Sequence, residues 1–348
     1  MTRGGTARRP ALRLGPWSLR WRARAATTAV VSIVCIVVLA GLSLSIGETN
    51  LPVWRVASAL VGGGDDGDRF IVLDLRLPRV VVTVFVGLAL GLSGAVVQTI
   101  TRNPLASPDV IGILSGGSTG AVAAIVLGTS GTWLIPSMAV AGGLVAATVV
   151  FLASWKGGVE GYRIVLVGIG VAAICSALTS LLLVRARVHE AAQAVVWLTG
   201  TLDGRTWTHA VPLLVTVLVV GPVLFGILHA LGALSLGDAT AGSIGVRVEV
   251  IRLTALIAAT LLASVAAAAT GPIAFVAFVA PQAMMRVIGS PTPPIVISGL
   301  GGALLLSATD VATRTLLPTE LPVGIVTVVI GAPFFLFLLL ARRRRLTI

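Results

Sequence analysis

The sequence is short of charged side chains, which make up only 11% of its 348 residues, whereas 56% are hydrophobic and the mean hydropathy is +1.04. A water-soluble domain needs a polar outer surface that this composition does not supply. The apolar runs are also too long and continuous for the short, alternating strands of a membrane β-barrel. The chain is therefore predicted to be an all-α polytopic membrane protein.

Lysine is nearly absent. Lys156 is the single lysine in the chain, and it follows Trp155 rather than a glycine-rich turn. A phosphate-binding loop needs a lysine directly after its glycines to reach the nucleotide phosphates. We therefore expect no ATPase site in this chain, and any ATP is expected to be hydrolysed by another polypeptide.

Cysteine and histidine are scarce as well. Cys35 and Cys175 lie in apolar runs and are typical of small buried hydrophobes rather than of a disulfide framework. The histidines at positions 189, 209 and 229 do not have the spacing of metal ligands. No Ser-His-Asp or Cys-His set is recognisable, so the sequence predicts neither an enzyme nor a bound metal or cofactor.

Ten apolar runs, bounded by charges, glycine and proline, fill most of the chain. Each approaches the roughly 20 residues that a helix needs to cross a hydrocarbon core of about 30 Å. The predicted membrane helices span residues 27–47, 80–100, 110–128, 132–154, 163–184, 209–231, 252–269, 273–288, 294–312 and 322–341. We expect a basic tail at 1–26, one transmembrane domain at 27–341 and a second basic tail at 342–348.

The net charge of +12 is concentrated where membrane topology signals occur rather than in a nucleic-acid-binding surface. Arginines crowd the first tail, and Arg342 to Arg345 follow the last apolar run. With the N-terminus in the cytoplasm, about two thirds of the basic residues fall on the cytoplasmic side, as the positive-inside rule requires. Both termini are therefore predicted to be cytoplasmic, and no nucleic-acid partner is expected.

Small residues recur at four-residue spacing in two of the runs. Gly87 and Gly91 form one stripe, and Gly112, Gly116 and Gly120 form another. Helices in lipid associate where small residues let their backbones approach closely. These stripes predict tight helix packing, which we favour over a role in lining a pathway.

Four segments carry recognisable motifs in a fixed order. They are Leu75 to Arg79, Gly94 to Gly112, Gly271 to Pro281, and the stretch from Asp310 to Phe334 that includes Leu321-Pro322-Val323-Gly324. Together they resemble the iron-siderophore and cobalamin permease family of bacterial ABC importers (FecCD-type subunits, similar to ferric-enterobactin permeases). This resemblance implies the type II ABC importer permease fold.

The resemblance also implies a function and a set of partners. It implies import of a ferric siderophore through the bacterial plasma membrane, with cobalamin or haem as alternative substrates. The expected partners are ABC ATPase subunits that bind ATP, a second permease subunit (identical or homologous), an extracytoplasmic binding protein and the lipid bilayer. A proton-coupled secondary transporter is the alternative from another class, but the helix centres lack the ionisable residues of a proton relay, and Asp310 near a helix end is the chief candidate.

Three arginines match the family's motif positions for docking the binding protein. In the family, arginines at the positions of Arg76, Arg79 and Arg314 resemble docking points for two glutamates. The fork of a guanidinium suits paired recognition of a carboxylate. The alternative is that these side chains are interfacial anchors that reach toward lipid headgroups.

The loop at 233–250 matches the family's coupling helix, which sits in a groove of the ATPase subunit. Its composition predicts a short helix ended by glycine. The residues expected to carry coupling are Asp238, Ala241, Gly242, Ser243, Ile244 and Gly245.

The remaining motif residues are expected to have structural or gating roles. They are Gln98, Asn103, Pro104, Gly271, Pro272, Pro281 and Gln282. Proline after Asn103 predicts a turn, because the residue before proline is pushed out of the helical region. Gln282 stands where the family commonly has histidine, and an amide keeps hydrogen-bonding capacity but does not titrate.

Overall fold

The computed structural model describes residues 11–14, 17–20, 23–47, 49–128, 131–155, 161–316 and 321–346. One antiparallel hairpin, β1 (Ala11–Leu14) with β2 (Trp17–Arg20), precedes the helices. The helices are α1 (Ala23–Ser45), α2 (Val53–Leu60), α3 (Asp66–Arg69), α4 (Leu77–Thr101), α5 (Ile113–Val126), α6 (Leu134–Ser154), α7 (Gly161–Arg185), α8 (Val188–Leu198), α9 (Trp207–Leu234), α10 (Asp238–Ser243), α11 (Val248–Thr270), α12 (Val276–Ile288), α13 (Ile295–Thr315) and α14 (Val323–Leu346). A π-helical segment, Phe70–Arg76, joins α3 to α4.

Each of the ten predicted apolar runs overlaps one of these helices, namely α1, α4 to α7, α9, and α11 to α14. In the described part of the chain, seven helices are long and apolar enough to cross a membrane, and shorter apolar segments lie in α5, α12 and α14. The prediction of an all-α polytopic membrane protein is confirmed.

Helices α1 and α14 extend into the two segments predicted as tails. α1 begins at Ala23, and α14 continues through the run Arg342 to Arg345. Arginine is a good helix former, so a run of arginines does not end a helix. Residues 1–10, 15–16, 21–22 and 347–348 of the predicted tails lie outside the described residues.

Helices α5 and α12 are short because irregular backbone precedes each of them. With 14 and 13 residues, they are only about 20 Å long at 1.5 Å per residue. Turns fill residues 102–112 before α5, and Phe275 has a φ of 67° before α12. Such backbone is tolerated at membrane depth only where protein buries it, and Ala106 and Ile273 are buried.

Helix α4 is the centre of the bundle and packs against α9, α11, α12 and α13. A Cβ on Gly87 would lie 2.5 Å from the carbonyl oxygen of Gly302, so α4 and α13 are in backbone contact. A Cβ on Gly116 would lie 2.6 Å from the carbonyl oxygen of Gly142, which brings α5 equally close to α6. The tight packing predicted from the glycine stripes is confirmed.

Candidate functional site

The three predicted docking arginines lie together at one end of the bundle. Arg76, Arg79 and Arg314 line a cavity of about 500 Å³, together with Arg205. We call this end the arginine face. The opposite end, which carries α10, is the α10 face.

Arg76 binds the end of the first long helix. Its Nη1 donates to the carbonyl oxygen of Leu44 at 2.7 Å, and its Nη2 donates to the carbonyl oxygen of Thr49. The last carbonyl groups of a helix lack partners within the helix and carry partial negative charge. Arg76, only 9% exposed, therefore caps α1.

Arg314 reaches the same helix end from α13. Its Nη1 donates to Ser43 Oγ at 3.0 Å and to the Ser43 carbonyl oxygen at 3.3 Å, and its Nη2 donates to the carbonyl oxygen of Ile46. Nη1 also lies 3.9 Å from Asp310 Oδ2. Two arginines from different helices thus fix the C-terminal end of α1.

Asp310 is the buried centre of the arginine face, with an exposed fraction of 1%. Its Oδ1 accepts from Arg79 Nε at 3.1 Å and from Arg79 Nη2 at 2.9 Å, and its Oδ2 accepts from Ser43 Oγ at 3.3 Å. A carboxylate removed from water needs such partners to stay charged. The cluster ties α1, α4 and α13 together.

Asp310 and Arg314 stand four residues apart on α13, but Arg79, far away in sequence, holds the closer contacts with Asp310. Sequence reasoning missed Arg205 and also Asp203, whose Oδ1 lies 3.5 Å from Arg79 Nη1. The signal for both was their charge in the short polar stretch before α9. Proximity between distant segments is not encoded in local spacing.

The loop of residues 199–206 connects the arginine face to two membrane helices. Thr201 N–H donates to the Thr270 carbonyl oxygen at 2.8 Å, and Gly324 N–H donates to the Gly200 carbonyl oxygen at 3.0 Å. Arg205 Nη1 donates to the Ala269 carbonyl oxygen at 3.0 Å. Burial lowers the pKa of Arg205, and the Asp203 carboxylate partly offsets this shift.

The predicted motif residues Gly271 and Pro272 pack against this loop. Gly271 has a φ of +79°, and a Cβ there would lie 2.3 Å from the Trp197 carbonyl oxygen. A Cβ on Gly200 would lie 2.4 Å from the Pro272 carbonyl oxygen. Only glycine fits both the left-handed backbone and the contact.

The α10 face has its own charged cluster. Asp238, the first residue of α10, accepts from Arg102 Nη2 at 3.0 Å and from Arg252 Nη2 at 2.8 Å. Arg102 directly follows α4, with a φ of 51°, and Arg252 is buried in the first turns of α11. The short helix is therefore held against the ends of two long helices.

Helix α10 buries one side and leaves the other open. Ala241 is fully buried, whereas Ile244 is 65% exposed and a Cβ on Gly242 would meet nothing within 4 Å. Gly245 has a φ of +84°, and Val246 N–H donates to the Ala241 carbonyl oxygen at 3.0 Å. The predicted short helix ended by glycine is confirmed, and Ser243 also lies on its exposed side.

Gln98 and Gln282 join α4 to α12 in the interior. Gln282 Nε2 donates to Gln98 Oε1 at 2.7 Å, and Gln98 Nε2 donates to the Phe278 carbonyl oxygen at 3.3 Å. Both side chains are buried and line a cavity of about 210 Å³. The non-titrating residue at position 282 thus keeps a buried hydrogen bond between the two helices.

The two other predicted prolines, Pro104 and Pro281, lie in different surroundings. Pro104 follows Asn103, whose Oδ1 accepts from Leu105 N–H at 3.0 Å, so this segment is a turn stabilised by its own side chain. Pro281 lies inside α12. Among the described residues, no group of three or more His, Cys, Asp or Glu side chains is placed to hold a metal ion.

Comparison with known proteins identifies the family. Residues 34–341 match the FecCD transport family. The chain belongs to this family. FecCD members similar to it include the ferric enterobactin transport system permease protein FepG of Escherichia coli, 36% identical over 313 residues that cover 88% of this chain and 94% of the relative. The achromobactin transport system permease protein CbrC of Dickeya dadantii is 38% identical over 323 residues, covering 91% and 93%.

A solved structure extends this similarity to the fold. A metal-chelate type ABC transporter in an inward-facing conformation superposes with a TM-score of 0.79 at 27% identity, covering 90% of this chain and 99% of that one. The predicted permease fold is confirmed, and the chain is a multi-pass membrane permease of the FecCD family.

Proposed function

We propose that this chain is the transmembrane subunit of an ATP-binding-cassette importer that moves a ferric siderophore complex into the bacterial cytoplasm. The observation that carries the proposal is the nearly end-to-end similarity to permeases named for ferric enterobactin and achromobactin. ATP is bound and hydrolysed by separate ATPase subunits, and a second permease subunit completes the pathway.

The proposed orientation puts the arginine face outside and the α10 face in the cytoplasm. Basic residues concentrated in both tails support this orientation. The plasma membrane is then crossed with both termini inside. An extracytoplasmic binding protein meets the arginine face, and the ATPase subunits meet α10.

Docking is proposed to use carboxylates of the binding protein. Arg76 and Arg314 donate to the backbone at the end of α1, so they mainly supply positive potential. Arg79 directs Nη1 toward the cavity, since its Nε and Nη2 both donate to Asp310. An arginine held in this way presents a pre-oriented donor to an acidic side chain.

Coupling is proposed to pass through α10. Its exposed side carries small and apolar residues, which suit a shallow groove on a partner, while Asp238 fixes its base to α4 and α11 through two arginines. Movement of α10 with the ATPase is thereby transmitted to the membrane helices. ATP drives this change only by binding one conformation better than the other.

The test is uptake of radiolabelled ferric siderophores in cells that lack this chain, before and after complementation, with cobalamin uptake measured in parallel. We expect loss and rescue of iron uptake while cobalamin uptake is unchanged. Loss of cobalamin uptake instead would overturn the substrate and keep the transporter class. Normal uptake of both would contradict the proposed function.

A further inference from the structure

Arg79 is shared between two carboxylates in opposite surroundings. Asp310 is 1% exposed and accepts two hydrogen bonds from Arg79, whereas the side chain of Asp203 is 76% exposed and lies 3.5 Å from Nη1. The second contact contributes less stability than the first, because it is longer and water reaches and screens the Asp203 carboxylate. One partner of Arg79 is therefore permanent and the other is exchangeable.

We propose that Asp203 occupies, in the undocked chain, the position on Arg79 that a carboxylate of the docking partner takes, so that docking displaces Asp203. The inference rests on the proposed function. It deepens that function by naming the contact that the partner replaces.

The geometry of the Arg79 donors makes Asp203 and a partner carboxylate compete for the same guanidinium group. Nε and one N–H of Nη2 are committed to Asp310, and Nη1, at the cavity, lies 3.5 Å from Asp203. A partner carboxylate that binds Nη1 comes close to Asp203, and two carboxylates at one donor group repel each other. Arg205 and Arg76 line the same cavity, and their positive potential favours an incoming acidic group.

Displacement of Asp203 can affect the membrane helices through the loop that carries it. The loop of residues 199–206 is attached to the end of α11 through Thr201 and Thr270, and to the start of α14 through Gly200 and Gly324. The ion pair of Asp203 with Arg79 links the loop to α4. Docking therefore breaks this link to the central helix, while the hydrogen bonds of the loop to α11 and α14 remain.

The experiment uses the complete importer, with its ATPase subunits, in lipid nanodiscs. The probe is the binding protein encoded with this chain, loaded with its ferric siderophore, and its dissociation constant is measured by biolayer interferometry. We expect Asp203→Asn to bind the probe about two- to five-fold more tightly, because the competing anion is removed from a weak surface pair. Asp203 is exposed, so this variant is expected to fold normally.

Two control variants separate displacement from a general charge effect. Asp74 lines the same cavity, and Asp74→Asn makes the same change in net charge. Asp66 is exposed and pairs with Arg69 at 3.9 Å, so Asp66→Asn removes a surface pair elsewhere. We expect a smaller gain in affinity for the first and none for the second.

The decisive test is to make Asp203→Asn in a chain that also carries Arg79→Lys. Lysine retains the positive charge near Asp310 but lacks the second nitrogen with which arginine can bind another carboxylate. We expect Arg79→Lys to weaken probe binding and to abolish the effect of Asp203→Asn. The inference is wrong if Asp203→Asn binds as the unmodified chain does, if Asp74→Asn gives an equal gain, or if the gain persists with Lys at position 79. Unchanged binding by Arg79→Lys alone would instead overturn docking at Arg79, and the proposed docking role with it.

Discussion

The two ends of the molecule use the same device, a carboxylate between two arginines, in different surroundings. At the arginine face Asp310 lies between Arg79 and Arg314, and its side chain is 1% exposed. At the α10 face Asp238 lies between Arg102 and Arg252, and its side chain is 37% exposed. Both clusters consist of one carboxylate and two guanidinium groups, but water reaches the carboxylate of Asp238 and not that of Asp310.

Because of this difference, we assign the Asp310 cluster a structural role and expect the contacts of the Asp238 cluster to change more easily. The cluster of Asp310 joins three long helices, and breaking it would leave charges in an apolar interior. The cluster of Asp238 holds a six-residue helix to the ends of α4 and α11, and water reaches the contact between Asp238 and Arg102. We therefore infer a rigid Asp310 cluster and an α10 face whose short helix moves with its partner at a lower cost in free energy.

The largest effect is expected from Asp310→Ala. The substitution leaves Arg79 and Arg314 without their shared buried carboxylate, which should lower the free energy of unfolding by about 3–5 kcal/mol. SDS-titration unfolding of purified protein in mixed micelles measures the change. Asp66→Ala, at an exposed position, is the control, and a loss below about 1 kcal/mol for Asp310→Ala would contradict a rigid Asp310 cluster.

A smaller effect is expected from Asp238→Ala. Charge-assisted hydrogen bonds from two arginines are lost at a partly exposed carboxylate, so we expect a decrease of about 1–3 kcal/mol in the same unfolding measurement. The importer's ATP-dependent uptake should fall more than its stability does, because α10 loses its link to α4. A stability loss equal to that of Asp310→Ala would remove the distinction between the two ends.

Arg102→Ala is expected to cost still less. The Arg102 side chain is 41% exposed, and exposed ion pairs contribute roughly 0–1 kcal/mol. Asp238 keeps its hydrogen bonds to the buried Arg252 in this variant. If unfolding shows a loss as large as that of Asp238→Ala, then Arg102, rather than Arg252, anchors the short helix.

The smallest effect on stability is expected from Gly242→Glu. Open space surrounds a Cβ at this position, so the free energy of unfolding should change by less than about 0.5 kcal/mol. Uptake and stimulated ATPase activity should nevertheless be lost, because a bulky charge is placed on the surface proposed to meet the ATPase. Gly242→Ala is the matched control and should transport normally; equal transport by both variants would argue against α10 as the coupling surface.

Much of the fold was predictable because its signals are local. Apolar length set the ten helices, and the stripes of Gly87 and Gly116 indicated where backbones touch. The amphipathic α2 and the short α8 were missed, since brief helices inside polar stretches lack the length signal of a membrane span. The resemblance of the motifs to the family indicated that Arg76, Arg79 and Arg314 are site residues, but it did not indicate which groups each of them binds.

The sequence by itself determined that this protein lies in a lipid bilayer, how many membrane helices it has and the family to which it belongs. These properties follow from hydrophobicity, charge placement and motif order, which can be read along the chain without knowledge of its packing. Only the tertiary structure decided the partners of its charges. Arg79 meets Asp310 across 231 positions and Arg102 meets Asp238 across 136. Such pairs form because burial removes water from a charge and leaves a neighbour on another helix as its best partner, and burial exists only after the helices have packed.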